Sequence, residues 1–203
     1  MRELARQSVG YVMSASQTSL FSKDELIELG FANFGRNIRV SRKCSIYGAD
    51  RMTLGDNVRI DDFCILSGEL TIGSHVHIAA FCGLFGGSGI RMDDFSGLSS
   101  RVSIYSVSED YSGGSLTNPT IPEEFRNLEA APVVLGRHAI IGCGAVLMPG
   151  TNVAEGVAVG ALSLARGRLE PWKVYSGIPA RAIRDRSRTL LDKERQFLAR
   201  YDR

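Results

Sequence analysis

The sequence predicts an all-β solenoid in which short parallel strands wind into triangular coils, and three observations carry that reading. An aliphatic residue recurs at every sixth position from Leu54 through Ile60, Leu66, Ile72, Ile78 and Leu84. After a two-residue slip the count passes through Met92, Leu98 and Ile104, and after a long interruption it resumes at Leu135, Ile141, Leu147, Val153, Val159 and Ala165; upstream, Phe34, Val40 and Ile46 fit the same rule. A small or aliphatic residue follows four places later at Val58, Cys64, Val76, Cys82, Val102, Ala139, Ala145 and Val157, and glycine comes directly after the anchor at Gly35, Gly55, Gly73, Gly136, Gly142 and Gly160. A period of six suits neither an amphipathic helix nor a lone alternating strand. It does suit short strands joined by tight corners, with three hexads to a turn and equivalent positions stacked every 18 residues, as Cys64 and Cys82 are.

The elements follow in chain order. Ser22-Lys23-Asp24-Glu25 reads as a capping box, with Phe21 and Leu26 at the staple positions and Gly30 as the stop, so a short helix closes the first coil. Residues 1–33 are therefore an N-terminal cap segment, residues 34–170 the solenoid of about six coils, and residues 171–203 a C-terminal extension with a helix. One interior column reads Cys44, Cys64, Cys82, Val102, Ala145, Ser163, all small or β-branched, which makes three of the cysteines buried and inert filling. His75 and His138 share a corner position with Asn37, Asn57 and Gly156, residue types tolerant of positive φ. Extra residues at Gly48 to Thr53 and at Phe85 to Arg91, and the excursion over 109–132, all fall at one corner. Stacked loops on a regular scaffold are a common way to build a site, although corners also tolerate insertions for no functional reason. Leu190, Leu191, Phe197, Leu198 and Tyr201 form one stripe within a helix over Thr189 to Arg203, which packs on the domain or on a neighbouring subunit. The two helices serve as caps, because open coil ends expose strand edges.

Composition sets the bounds. The 203 residues are 44% hydrophobic and 23% charged, which excludes wholesale disorder and allows one domain with a sizeable core. A net charge of +2 argues against a nucleic-acid partner. No apolar run approaches the roughly 20 residues of a membrane span, and MRELARQSVG has no apolar leader core, so a cytoplasmic location is expected. The charge is uneven, however: residues 166–203 hold eleven Lys/Arg against five Asp/Glu, which suits either a solvated helix face or an anionic ligand near the last coil.

The repeated hexads, the late run IGCGAVLMPG at 141–150, VGALSLA at 159–165 and YSGIPARAIRDR at 175–186 together resemble the hexapeptide-repeat acyltransferases, and the match covers roughly residues 34–186. The resemblance implies a left-handed parallel β-helix, a homotrimer with sites between adjacent prisms, and transfer of an acetyl or related acyl group from coenzyme A to an amine or hydroxyl. SIYSVSEDYSGGSLTNPTIPEEFRN (103–127), with RIDDFCILSG (59–68) and DFSGLSSR (94–101), is most similar to enzymes of bacterial surface-polysaccharide synthesis that acylate a nucleotide-linked amino-dideoxy sugar. O-acetylation of a sugar hydroxyl and a non-catalytic assembly subunit are the alternatives.

Acyl transfer needs a proton acceptor, a stabilised oxyanion and exclusion of water. Sugar acetyltransferases of this kind place a histidine just after a strand. Aligning on Ile104 to Ser108 puts Glu109 there, followed by Asp110. Three readings are open: one of these carboxylates is the base, the acceptor is an amine that needs positioning more than a strong base, or both are turn residues. The missing histidine tilts the balance toward N-acylation. His77, in an outward column with Arg39 and Arg59, is a candidate base or acceptor-binding group, and Tyr111, Asn118 and Arg126 of the long loop are candidates for acceptor contact. For coenzyme A the resemblance implies Gly160 and Ala161 beside the pantetheine, with Arg181 and Arg184 near the phosphates and Arg166 as an addition. No metal is expected, since the spacing of His75, His77 and His138 does not match a zinc site.

Overall fold

The computed structural model describes residues 19–201. The part of the expected N-terminal cap at residues 1–18 lies outside them. The chain forms a left-handed parallel β-helix with three faces. The first face stacks Arg39–Val40, Arg59–Ile60, His77–Ile78, Gly97–Leu98, Ile140–Ile141, Ala158–Val159 and Lys173–Ser176. The second stacks Ser45–Tyr47, the leading halves of Ile65–Ile72 and Gly83–Met92, then Ser103–Tyr105, Val146–Leu147 and Leu164–Ala165. The third stacks Asn33–Phe34, Met52–Leu54, the trailing halves of the same two long strands, Val133–Leu135, Asn152–Val153 and Arg168–Leu169. The stack has about seven turns; Lys173–Ser176 adds a coil beyond the hexad run.

The anchors point inward because each two-residue strand can bury only one of its side chains. Val40, Ile60, Leu66, Ile78, Leu84, Ile104, Leu135, Ile141, Leu147 and Val153 are completely buried. In the interior column, the Sγ atoms of Cys44, Cys64 and Cys82 donate to the carbonyls of Asp61, Ala79 and Ser99 in the next coil at 3.1, 3.2 and 3.1 Å. The neighbouring Cys64 thiol and burial push the Cys44 thiol up from its ordinary range. All three irregular segments do leave from one corner, between the second and third faces. There the long strands run straight through, with Gly68 over Gly86 and a register slip before Leu70. A Cβ on Gly68 would sit 2.4 Å from the Gly86 carbonyl oxygen, so only glycine lets these coils stack.

The corner between the third and first faces carries the two histidines in left-handed backbone, His75 at φ 58° and His138 at φ 61°, with Phe95 between them at φ 57°. Their rings stack as a ladder: His75 on Phe95 at 4.7 Å and Phe95 on His138 at 5.4 Å between centroids. Below, Trp172 takes the space that a side chain at Gly156 would need.

At the amino end α1 (Lys23–Glu28) carries the expected box: Ser22 Oγ accepts from the Glu25 amide, and the Ser22 amide donates to Glu25 Oε2. Leu26 is buried against the first coil. At the carboxyl end the chain reverses, and Arg181–Asp185 pairs antiparallel with Lys173–Ser176 on the first face. Arg186 Nη1 then donates to the carbonyls of His138, Gly156 and Val157 at 2.8, 3.0 and 3.3 Å. From that strut α2 (Leu190–Tyr201) runs back along the aromatic corner of its own domain. Glu194 Oε2 meets His138 Nε2 at 3.0 Å and Oε1 accepts from Arg137, while Phe197 stands edge-on to His75 at 5.2 Å.

Candidate active site

The loop begins where the hexad rhythm breaks. Val107–Ser108 pairs antiparallel with Glu129–Ala130, which closes a stem. Residues 109–128 lie beyond it, with one helical turn at Glu123–Phe125. Glu109 and Arg126 meet inside the loop base: Arg126 Nη2 donates to Glu109 Oε1 at 2.6 Å. Arg126 is 14% exposed, and both Glu109 Oε2 and Arg126 Nε are buried without a hydrogen-bond partner among the described residues. Such atoms are costly unless something completes them, so the pair is an open half of a network.

Asp110 is different. Its carboxylate accepts from the Ser112 amide at 2.8 Å and the Ser115 hydroxyl at 2.9 Å. The Ser112 hydroxyl and amide, with Ser115, hold it down to about 2. Its oxygens are spent on folding the loop. Asn118, at φ 78°, likewise uses its Oδ1 to accept from the Thr120 amide and hydroxyl, and Tyr111 is almost wholly exposed. The loop therefore brings Glu109 and Arg126 together, while Asp110 and Asn118 shape it and Tyr111 stands free at its surface.

His77 lies elsewhere, on the outer column of the first face, where its Nε2 meets Asp61 Oδ2 at 2.8 Å. Burial alone would raise the Asp61 carboxyl, but His77 and Arg59, whose Nε donates at 2.6 Å, hold it below the usual carboxylate range. His77 stands at the edge of a cleft of about 880 Å³ between the first face and α2. The cleft floor is Ala79 and the run Ser96 to Ser100, its far wall Ile140, its roof Leu190, Lys193 and Phe197. The sequence reading missed this cleft. Its floor comes from the first face and the corners beside it, but its roof comes from α2, some 100 residues further along the chain, and nothing in the repeat signals where that helix lies. Long-loop and cleft residues sit on opposite sides of one prism, since the loop corner joins the other two faces.

The residues assigned to coenzyme A divide as well. Gly160 rests against the Ser176 side chain, and Ala161 beside it is exposed. Arg181 is paired with Ser176 across the closing hairpin and Arg184 with Val174, so both arginines stand on the same carboxyl-terminal edge, exposed. Arg184 has no ion-pair or hydrogen-bond partner among the described residues, and Arg181 contacts only the Ala180 carbonyl. Leu162 and Ile178, largely exposed apolar side chains beside this edge, were not singled out from sequence. Arg166 belongs to another place: it follows the second-face strand Leu164–Ala165 and pairs with Glu129 at the loop stem. Among the described residues no group of three or more His, Cys, Asp or Glu side chains is placed to hold a metal ion, and no helix is long and apolar enough to cross a membrane.

No family model matches the chain. Individual proteins do. Over 176 residues it is 43% identical to dTDP-4-amino-4,6-dideoxy-D-glucose acyltransferase of Escherichia coli, a match that covers 85% of this chain and 92% of that protein. The crystal structure of AntD, an N-acyltransferase from Bacillus cereus in complex with dTDP and 3-hydroxybutyryl-CoA, superposes with a TM-score of 0.90 at 44% identity, covering 92% of this chain and all of that one. The hexapeptide-repeat containing acetyltransferase VCA0836 from Vibrio cholerae shares the fold at 17% identity and a TM-score of 0.58.

Proposed function

The chain belongs to the hexapeptide-repeat acyltransferases, within the group of dTDP-4-amino-4,6-dideoxyglucose acyltransferases, and on that premise we propose that it acylates the amino group of a nucleotide-linked amino-deoxy sugar from acyl-CoA, in the cytoplasm, during synthesis of a surface polysaccharide. The observation that carries the amine over the hydroxyl is the Glu109–Arg126 pair, which stands where hydroxyl-acylating relatives are expected to hold histidine. An amine titrating near 8 is partly neutral at working pH and attacks the thioester carbonyl unaided. The C–N bond forms, the C–S bond breaks, and the coenzyme leaves as a thiolate that is then protonated. Nitrogen becomes strongly acidic once bonded to the carbonyl carbon, so a weak base suffices to take its proton.

In this reading Glu109 is that acceptor. Arg126 occupies one carboxylate oxygen and fixes the side chain, and the other, buried and without a partner among the described residues, is the one left to take the proton. Asp110 is a positioning residue through the loop turn it builds. Gly160 and Ala161 hold the donor's arm, and Arg181 and Arg184 meet its phosphates. The acceptor lies between His77 and the loop, with Tyr111 at the loop's exposed tip. Because the loop corner and the face that bears His77 are on opposite sides of one prism, the site closes only between subunits, in a homotrimer. The second face offers a surface for that packing, with Phe85 stacked on Tyr105 at 4.9 Å and Ile65 exposed.

The test is thiol release from acyl-CoA with amino-sugar nucleotides set against their hydroxyl counterparts. Turnover with the amines alone is expected; turnover with hydroxyls alone would transfer the assignment to O-acylation. Glu109→Gln lowers kcat at least tenfold at unchanged melting temperature, whereas Asp110→Asn acts mainly on the acceptor KM. Wild-type rates for Glu109→Gln would remove the carboxylate from the mechanism.

A further inference from the structure

Gly97 occupies the outward column of the first face, between His77 and Ile140. The glycines that follow the anchors leave no room for a side chain: at Gly55 a Cβ would lie 2.6 Å from the next coil's backbone, and at Gly142 2.5 Å. Gly97 is not of that kind. Its φ is outside the left-handed region, and a Cβ there meets nothing nearer than the His77 carbonyl oxygen at 3.5 Å, an ordinary contact. Every other residue of the column, from Arg39 to Val174, has a side chain. Neither backbone nor packing in this chain requires glycine at 97, yet its missing side chain deepens the cleft under α2.

Around that notch the cleft is mainly apolar. Ala79, Ile140, Leu190 and Phe197 line it, and Ile140 is 46% exposed although it sits on a sheet face. Of its polar lining, Ser99 and Ser100 carry hydroxyls that have no partner among the described residues, His77 stands at the edge against Asp61, Lys193 is in the roof, and His138, Glu194 and Arg186 are engaged with one another or with backbone carbonyls. The apolar patch of Ala79, Ile140, Leu190 and Phe197, with the two serines beside it, suits a hydrocarbon chain that ends in a polar group. Register places the slot relative to the donor. One residue beyond each inward anchor of the first face, Ala79, Ser99, Gly142 and Gly160 fall in one column. Ser99 is two coils, about 10 Å, from Gly160, a span well within the length of a pantetheine arm. A donor held at Gly160 and Ala161 therefore brings its thioester to the serine edge of the cleft.

We propose that the cleft between α2 and the Gly97 notch receives the hydrocarbon part of the donor's acyl group, so that this protein selects an acyl chain longer than acetyl and Gly97 sets the permitted length. The proposal rests on the acyl-CoA reading above and deepens it. Two additional buried methylenes correspond to about tenfold tighter binding.

The experiment is calorimetric titration of acetyl-CoA and butyryl-CoA into the full-length protein and its Gly97→Ala and Gly97→Val variants. The wild type binds butyryl-CoA about tenfold more tightly than acetyl-CoA. Gly97→Val abolishes that preference and leaves acetyl-CoA affinity within about twofold, and Gly97→Ala falls between. The Cβ of Gly97→Ala has room, so that variant melts no lower than the wild type, and the melting temperature of Gly97→Val, taken beside it, separates a filled slot from a damaged fold. An unchanged preference in Gly97→Val overturns the proposal while acyl-CoA binding stands. Failure of the wild type to bind either thioester overturns the acyl-CoA reading and this proposal with it.

Discussion

Glu109 and Asp110 are chain neighbours of the same charge with opposite surroundings. Asp110 accepts from Ser112 and Ser115 and is held down to about 2; Glu109 is clasped by one arginine and keeps a buried oxygen without a partner among the described residues. Sequence spacing identified both positions but could not tell them apart, since the difference depends on Arg126, 17 residues away, and on which side each carboxyl faces the loop. His75 and His138 show the reverse case. Their hexad position alone marked them as corner residues, and their positive φ follows from it, because the corner geometry repeats regardless of the side chain. The donor role proposed for the closing-hairpin arginines is tested at the same scale. Cutting the chain after residue 178 would strip Lys173–Ser176 of its antiparallel partner, so point changes are the cleaner probe. Arg181→Ala with Arg184→Ala is expected to weaken coenzyme A binding by one to two orders of magnitude while leaving dephospho-pantetheine binding nearly unchanged, as two lost charge-assisted phosphate contacts require. Equal affinity in the double variant would clear these arginines of a donor role.

Helix α2 is an element joined to the solenoid by few contacts. None of its residues is fully buried, and its own propensity cannot hold twelve residues helical in water. What fixes it is the Arg186 strut before it, the Glu194 clasp on Arg137 and His138, and Phe197 against the aromatic corner. Burial alone would raise the Glu194 carboxyl, but the Arg137 guanidinium and the His138 imidazole hold it below the usual range. A carboxyl lowered on folding contributes stability that is complete above its ordinary value near 4.5 and is lost as pH falls through the lowered value. Acidification should therefore release α2 before the coils unfold. Trp172, the one tryptophan, lies under Arg188 at the start of the helix and reports the event. In Glu194→Gln the fluorescence change is already partly present at pH 7 and its acid dependence is reduced. An identical acid transition in wild type and variant would mean that the clasp does not hold the helix. The amphipathic stripe foretold the helix, but only the histidine corner, built from three separate coils, determines where it docks.

The whole molecule is a column in which each coil contacts chiefly its neighbours, so its interior opens only when coils separate. The cysteines measure this. Cys64 and Cys82 are sealed inside, Cys44 is half-buried, and Cys143 is exposed at a corner. A thiol reagent should modify Cys143 at once, and Cys64 and Cys82 only as fast as the stack opens, orders of magnitude later in native buffer. Uniform labelling of all four would contradict a closed prism. The repeat was legible at this scale because its cause is local and periodic: each turn of chain must place one aliphatic residue on the axis and a compact residue at the corner, and the same requirement recurs 18 residues later. The sequence by itself thus determined the solenoid, its inward column, its corners and the register at which the long loop departs. The tertiary structure decided which residues from outside the repeat meet on that scaffold. The Glu109–Arg126 pair, the roofing of the Gly97 cleft by α2 and the pairing of Arg166 with Glu129 at the loop stem each join residues from different coils or from outside the repeat, and no period relates such residues to one another.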